Sequence, residues 1–580
     1  MKLSKSMRGA ALAATVVLAL SAGAPAAFSA ELNSGGKGGQ GSQQGPGKNY
    51  GKPGQGKPGA GHGKPGSGHG KPGKPGKPGH GPGKPGHPGK PGKSDSEKLR
   101  DKVTINGVYS HLQALQNAAP YNGGSRAAGT PGYEAGAQYV ERQLRKAGYQ
   151  PFRQPFTYEQ FVLNGELLEQ VSPDAVEYEA GTDFVTMSYS GPGDVTAEVT
   201  VVDVNLEGER ANTSGCEPED FADFTPGNIA VMQRGTCAFS VKVDNAAAAG
   251  ASAAVVFNQG VIPTEDRTGL LNGTLGGVTS SIPAVGTTYA VGESLAGTEG
   301  ATLRVAVDSE VRQTETFNVI ADTPKGDPTR QVVVGAHLDS VAEGPGINDN
   351  GSGTAAILET AIQLGKGGKF KLENQVRFAF WGAEEDGLLG STEYVNQLDE
   401  TGLANTLLNL NFDMLGSPNF VRFVYDGNGD AFGDDTEDAG PVGSDVIEGV
   451  FEDYFASQNL PTAPTEFDGR SDYLAFIEQG IPAGGLFTGA EGVKTAEEAA
   501  IFGGTAGEPY DPCYHAECDD LGNISKQALA EMSDAVAHTT LTFAQTDADI
   551  RGGDGVSSAR ALPSAPATQG PTYKGHEALR

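Results

Sequence analysis

Apolar residues recur at helical spacing in two early stretches: Val108, Leu112 and Leu115 within residues 106–118, and Ala137, Val140 and Leu144 within 133–147. A Gly-rich segment between them, YNGGSRAAGTPGYEAG, predicts a loop. Beyond Gln160 the period changes. Short β-branched runs at 184–187, 197–204, 229–232 and 253–257 predict strands, interrupted by one Ala-rich helix at 239–249, so 161–314 reads as a β-rich module. From 315 onward, short, largely apolar runs at 317–320, 331–335, 375–381 and 407–414 are typical of buried strands. Helical patterns at 355–364, 445–456 and 526–537 follow several of them. The alternation predicts an α/β fold, a mixed and mostly parallel sheet sandwiched by helices, in which function gathers where strands end and loops begin.

Charge divides the 580 residues further. Their net charge is −30, yet residues 1–30 carry Lys2, Lys5 and Arg8, and 31–93 carry eleven lysines against Glu31 alone. From Ser94 onward the chain holds 28 basic against 71 acidic groups. So anionic a body repels nucleic acid, which is excluded as a partner. Its length calls for about two or three domains, and a monomer is expected. The three N-terminal cations, the apolar run from Ala10 to Leu20 and the small residues Ala24, Ala26, Ser29 and Ala30 make 1–30 a signal peptide for secretion. Its apolar part is shorter than the roughly 20 residues of a spanning helix, so no membrane span is expected. Residues 31–98 are a Gly/Lys/Pro-rich linker in which the three-residue glycine frame breaks at Pro82. A disordered, extended cationic spacer is therefore preferred to a collagen triple helix. The linker holds His62, His69, His80 and His87, and a weak tether to an anionic cell wall is one use for it. Residues 546–580 read as a polar, disordered tail. The four cysteines fall as Cys216 with Cys237 and Cys513 with Cys518, which in an exported chain predicts two local disulfides and disfavours a thiol nucleophile.

Outside the linker five histidines remain. His111 and His538 fall on helical patterns and His576 in the tail, so these three read as ordinary core or surface residues. His337 directly follows an apolar strand in VVVGAHLDS, with Asp339 two residues on and Asp349 in the next loop, EGPGINDNGSG. Glu384 and Glu385 end a second apolar run, VRFAFWGAEEDG, and Asp413 ends a third, NLNFDMLG. Adjacent glutamates before a helix usually serve its dipole, and an Asp after a strand is commonly a cap. Together, imidazoles and carboxylates at several strand ends make a ligand set suited to zinc, with manganese or cobalt as the alternatives.

The ordered blocks GAHLDS, GINDNGSG, WGAEEDGLLGS, NFDMLG and CYHAEC resemble those of the secreted co-catalytic dizinc aminopeptidases of the aminopeptidase Y and bacterial leucine aminopeptidase type. GTCAF and NAAAAGASAAVVFNQ resemble a protease-associated domain. The resemblance implies a zinc exopeptidase fold made discontinuous, 99–160 and 315–545, by a protease-associated domain at 161–314. It implies two zinc ions, one held by His337 and Asp413, the other by Glu385 and His515, with Asp349 bridging. Glu384 would be the general base and Tyr514 the residue that hydrogen-bonds the oxyanion. Asp339 would accept the second ring proton of His337, and Arg470 and Asp472 in GRSDYLAF would wall the substrate pocket. The substrates implied are peptide or protein N-termini, with apolar residues preferred. The alternatives are a carboxypeptidase of the same fold, which needs a cationic pocket, and a catalytically inactive peptide-binding relative, which should have lost ligands. In DGNGDAFGDDTE, Asp426, Asn428, Asp430, Asp434 and Glu437 sit at EF-hand spacing, but Ala431 stands where that loop needs Gly. A solvated acidic loop is expected there, and calcium elsewhere is left unassigned.

Overall fold

The computed structural model describes residues 93–207, 212–260, 265–277, 280–366, 369–432 and 439–552. The expected signal peptide, nearly all of the linker, residues 553–580, and Asp434 and Glu437 of the acidic loop lie outside the described residues. Fourteen strands are described. They are β1 (Phe152–Ser172), β2 (Val176–Glu177), β3 (Phe184–Thr186), β4 (Gly193–Val201), β5 (Ile229–Gln233), β6 (Ala253–Phe257) and β7 (Ala284–Thr287), followed by β8 (Thr302–Asp322), β9 (Asp327–His337), β10 (Asn374–Trp381), β11 (Thr406–Phe412), β12 (Phe423–Tyr425), β13 (Ala463–Thr465) and β14 (Ala483–Phe487).

They form one sheet in the order β13-β12-β14-β11-β9-β10-β8-β4-β5-β6-β7-β3, with β1 pairing β8 and β2. β10, β9, β11 and β14 run parallel, as do β4, β5, β6 and β7, and β8 joins the two sets by antiparallel pairing with β10 at one end and β4 at the other. β1 and β8, 21 residues each, pair from Phe152↔Ile320 to Ser172↔Thr302. The expected divisions at 160/161 and 314/315 fall inside this ribbon, where Gln160 faces Arg312 and Thr157 faces Glu315. Alternation of polar and apolar residues in TLRVAVDSEVRQTETF is what a half-exposed ribbon requires, whereas 317–320, apolar but for the buried Asn318, is the part that enters the sheet interior.

Val332, Val333 and Val334 of β9 and Phe378, Ala379 and Phe380 of β10 are buried, with the helices Ile105–Gln116, Pro131–Ala147, Gly351–Gly365 and Lys526–Gln545 contributing to the largest core. Full burial of each large apolar side chain is worth about 1.5–3 kcal/mol. Two expected limits of order are corrected. A helix over Asp95–Arg100 already begins inside the expected linker, closed by a Ser94–Glu97 capping box and anchored by buried Leu99. At the other end the last helix runs to Gln545, Ile550 is fully buried, and Arg551 donates to the Leu403 and Thr406 carbonyls, so 546–552 is packed structure. In the acidic loop Asn428 and Asp430 are exposed, as expected, but Asp426 is buried and spends its carboxylate on the Gly429 and Ala431 amides at 2.8 and 2.9 Å. Among the described residues no helix is long and apolar enough to cross a membrane.

Candidate metal centre

Because β9, β10 and β11 are parallel, their C-terminal ends share one edge, with β9 between the other two. His337 is the last residue of β9, Glu384 and Glu385 follow β10, and Asp413 follows β11. The chain leaves β9 for β10 on one side and later returns to β11 on the other, which opens a crevice at this switch point. Asp349 enters from the loop before the helix Gly351–Gly365. The Asn350 side chain caps that helix by accepting from the Gly353 amide and donates to the Phe412 carbonyl, both at 2.9 Å. A Cβ on Gly353 would stand 2.2 Å from the Phe412 oxygen, so glycine is what lets the helix approach β11 this closely. Backbone strain gathers here: Ala383, Met414 and His515 have φ of 57°, 49° and 53°, each next to or at a candidate ligand.

The two oxygens of Asp349 face different imidazoles. Oδ1 lies 3.1 Å from His337 Nε2 and Oδ2 lies 3.2 Å from His515 Nε2. Glu385 Oε2 is 3.0 Å from His515 Nε2, while Asp413 Oδ1 and Glu384 Oε2 are 3.4 and 3.8 Å from His337 Nε2. Two groups of three, His337 with Asp349 and Glu385, and His337 with Glu384 and Asp413, have donor atoms within 4.8 Å of one another. Burial pushes the Glu385 carboxyl up to about 7, helped by Asp349, and burial likewise raises Glu384. Burial alone would lower His337, but Glu384 and Asp413 outweigh it and hold the imidazole above its ordinary range. Glu385 Oε1 and Asp413 Oδ1 are buried with no hydrogen-bond partner among the described residues. Crowded carboxylates and unused buried oxygens fit a divalent cation.

A model of peptidase family M28 matches residues 318–540, and one of the PA domain matches 195–295. An aminopeptidase of Pseudomonas aeruginosa (strain UCBPP-PA14) is 49% identical over 437 residues, 75% of this chain and 80% of its own. The chain belongs to peptidase family M28. A probable leucine aminopeptidase 2 of Aspergillus fumigatus is 41% identical to this M28 chain over 453 residues, 76% of it and 84% of the fungal protein. Among solved structures, the aminopeptidase from Aneurinibacillus sp. strain AM-1 is similar with a TM-score of 0.60 at 28% identity, covering 78% of this chain and 96% of its own. This M28 peptidase is therefore a metallo-exopeptidase, with the PA domain inserted in it.

Besides Asp339, which the sequence did single out, several residues that it did not hold this M28 site together. Asp339 lies 3.7 Å from His337 Nδ1, longer than a hydrogen bond, and instead accepts from the Glu384 and Glu385 amides at 3.3 Å each. It thus steadies the glutamate pair through the main chain while its charge stays beside the imidazole. Asp519, just past the Cys513–Cys518 disulfide, accepts from the Asn348 and Asp349 amides at 2.8 and 3.0 Å. Asp386 accepts from Tyr158 and Gln160 of the β1 ribbon. Ser471 donates to Asp413 Oδ2 at 2.5 Å. Fully buried Arg126 comes from the Gly-rich loop. Their partners are mostly main-chain groups far away in sequence, and spacing carries no trace of those. Tyr514 stacks on His515 with centroids 3.8 Å apart, and its hydroxyl accepts from Arg470, which also pairs with Glu491 at 2.8 Å. Asp472 is buried, and burial pushes its carboxyl to about 7 against His337. The remaining disulfide joins Cys216 to Cys237 in the PA region.

Proposed function

We propose that this M28 peptidase is an exported aminopeptidase that holds two zinc ions and removes apolar residues from the N-termini of peptides and proteins. One observation carries the reading: Asp349 turns one oxygen toward each imidazole, and Glu385 and Asp413 stand on opposite flanks. His337 and Asp413 would hold one ion, Glu385 and His515 the other, and Asp349 both. Bound zinc supplies Lewis acidity toward water and the scissile carbonyl.

The chain's own residues supply the rest. Glu384, raised by burial and free of a zinc-holding role, takes a proton from the attacking water and gives it to the leaving amine. Tyr514 accepts from Arg470, so its own proton points outward to the developing oxyanion. The excess of carboxylates receives the positive amino end of the substrate. Arg470 is engaged by Glu491 and Tyr514, which disfavours capture of a C-terminal carboxylate and hence the carboxypeptidase alternative. The mutually packed Tyr425, Phe467 and Tyr473, beside Asp468 and Arg470, provide an apolar wall. The purified full chain is expected to cleave a leucyl anilide, to lose this on chelation and regain it with zinc. Cleavage of the N-acetylated leucyl anilide at a comparable rate would overturn the assignment.

A further inference from the structure

Arg126 is fully buried, yet among the described residues its guanidinium forms no ion pair. All of its side-chain hydrogen bonds go to main-chain oxygens: Nε to Pro345 at 3.1 Å, Nη2 to Gly346 at 2.5 Å, and Nη1 to Leu338. Its own amide donates to Ser340 Oγ at 2.8 Å, and that hydroxyl in turn contacts the Gly344 carbonyl at 3.0 Å. Leu338 directly follows His337, and Gly346 opens the turn that ends at Asp349. The planar fork therefore grips both ends of the 338–346 loop, the only covalent path between two candidate ligands of the same ion. Gly346 has φ 58°, and a Cβ there would meet the Asp349 carbonyl at 2.3 Å, so the loop closes tightly upon its own exit. Burying a guanidinium is costly unless it is hydrogen-bonded and near opposite charge. Here the opposite charge is Asp339, Asp519, Glu385 and Asp349, felt without contact. A surface loop needing only order could be tied by a neutral side chain.

We propose that Arg126 is a positioning residue for metal retention, which fixes the separation of His337 and Asp349 by clamping both ends of the loop that joins them. This rests on the zinc-binding role proposed for those two residues. Lysine keeps the charge but, as a point donor, cannot reach three diverging carbonyls in one plane.

The test loads the full-length protein with zinc and follows metal release into a chromogenic chelator, well below the unfolding temperature. Wild type must first hold zinc; failure there overturns both the proposed function and this inference. With zinc present, Arg126→Lys is expected to release it roughly 10–100-fold faster, the range for residues that orient metal ligands. Its activity should return at excess zinc with KM unchanged. Ser340→Ala, a milder lesion of the same clamp, should release faster than wild type by a smaller factor, and it decides the matter if Arg126→Lys does not fold. Arg304→Gln, which breaks an exposed pair with Asp194, should release at the wild-type rate. A role in stability alone would lower the unfolding temperature of the Arg126 and Ser340 variants while leaving release unchanged, and that result overturns the proposal.

Discussion

On either side of β8 lies a run of parallel, buried strands: β9, β10 and β11 in the peptidase, β5, β6 and β7 in the PA region. The two runs differ in the polar groups at their C-terminal ends. In the PA region these groups consume one another. Gln233 donates to the Gln259 carbonyl at 2.8 Å, Asn258 to the Gly269 carbonyl at 3.1 Å, and Arg234 to Asn258 Oδ1 at 3.4 Å. At the equivalent edge of the peptidase, imidazole and carboxylate crowd together, and buried carboxylate oxygens, Glu385 Oε1 and Asp413 Oδ1 among them, have no hydrogen-bond partner among the described residues. Similar layers therefore do different work, according to whether strand-end groups satisfy each other or are held ready for something else.

The largest expected effect tests that contrast directly. Glu384→Gln should lower kcat/KM by roughly 10²–10⁴-fold while zinc content, measured by atomic absorption, stays at the wild-type level. Loss of zinc as well would make Glu384 a ligand, as its proximity to His337 and Asp413 permits. Asn258→Ala, the counterpart in the PA region, should leave kcat/KM unchanged and cost about 1–3 kcal/mol of stability by stranding its buried partners.

The two disulfides extend the comparison. Cys513–Cys518 encloses Tyr514 and His515, whereas Cys216–Cys237 closes a 21-residue span of the PA region. Replacing the first pair by serine should reduce kcat/KM about tenfold or more, because loosened ligand geometry weakens metal and substrate together. Replacing the second should leave turnover intact and cost about 3 kcal/mol, the loop-closure value for such a span. Equal effects of the two on turnover would refute the division of labour.

Much of the candidate site was legible because His337, the Glu384–Glu385 pair and Asp413 each end an apolar run, VVVGAH, VRFAFWGAEE and NLNFD, whereas Asp349 and His515 sit in loops and were legible only through the resemblance. The cysteine pairs were legible because each is local. Arg126, Asp386 and Asp519 were not, since what they hold lies far along the chain, and a lone Arg among glycines or an Asp directly after a Cys carries no period. The β1–β8 ribbon was half visible. Its interior segment is apolar, but its exposed stretch alternates with charges and looks like a boundary instead of a continuing strand. The Gly351–Gly365 helix begins earlier than hydrophobic spacing suggests, because its first turn is built from small residues that must touch β11.

The smallest effect separates the halves by pH. Lys242 of the PA region is fully buried, donates to the Ser214 carbonyl and lies 3.6 Å from Cys216 Sγ. Burial pushes its amine from 10.5 down to about 8, with Asp220 and Glu217 opposing only in part. Between pH 8 and 10.5 the unfolded chain then holds this proton and the folded chain does not, so stability gains from Lys242 as pH rises through that window. Below pH 8 both states are protonated and the burial penalty is present in full. Chemical denaturation of wild type and Lys242→Met from about pH 7 to 10 should show the wild-type curve rising relative to the variant, by at most about 1.4 kcal/mol per pH unit. Parallel curves would mean that the ammonium is satisfied where it lies. Its contacts with the Ser214 carbonyl and the disulfide sulfur would then count for more than its burial, and the PA region would hold a paired charge where a strained one is expected.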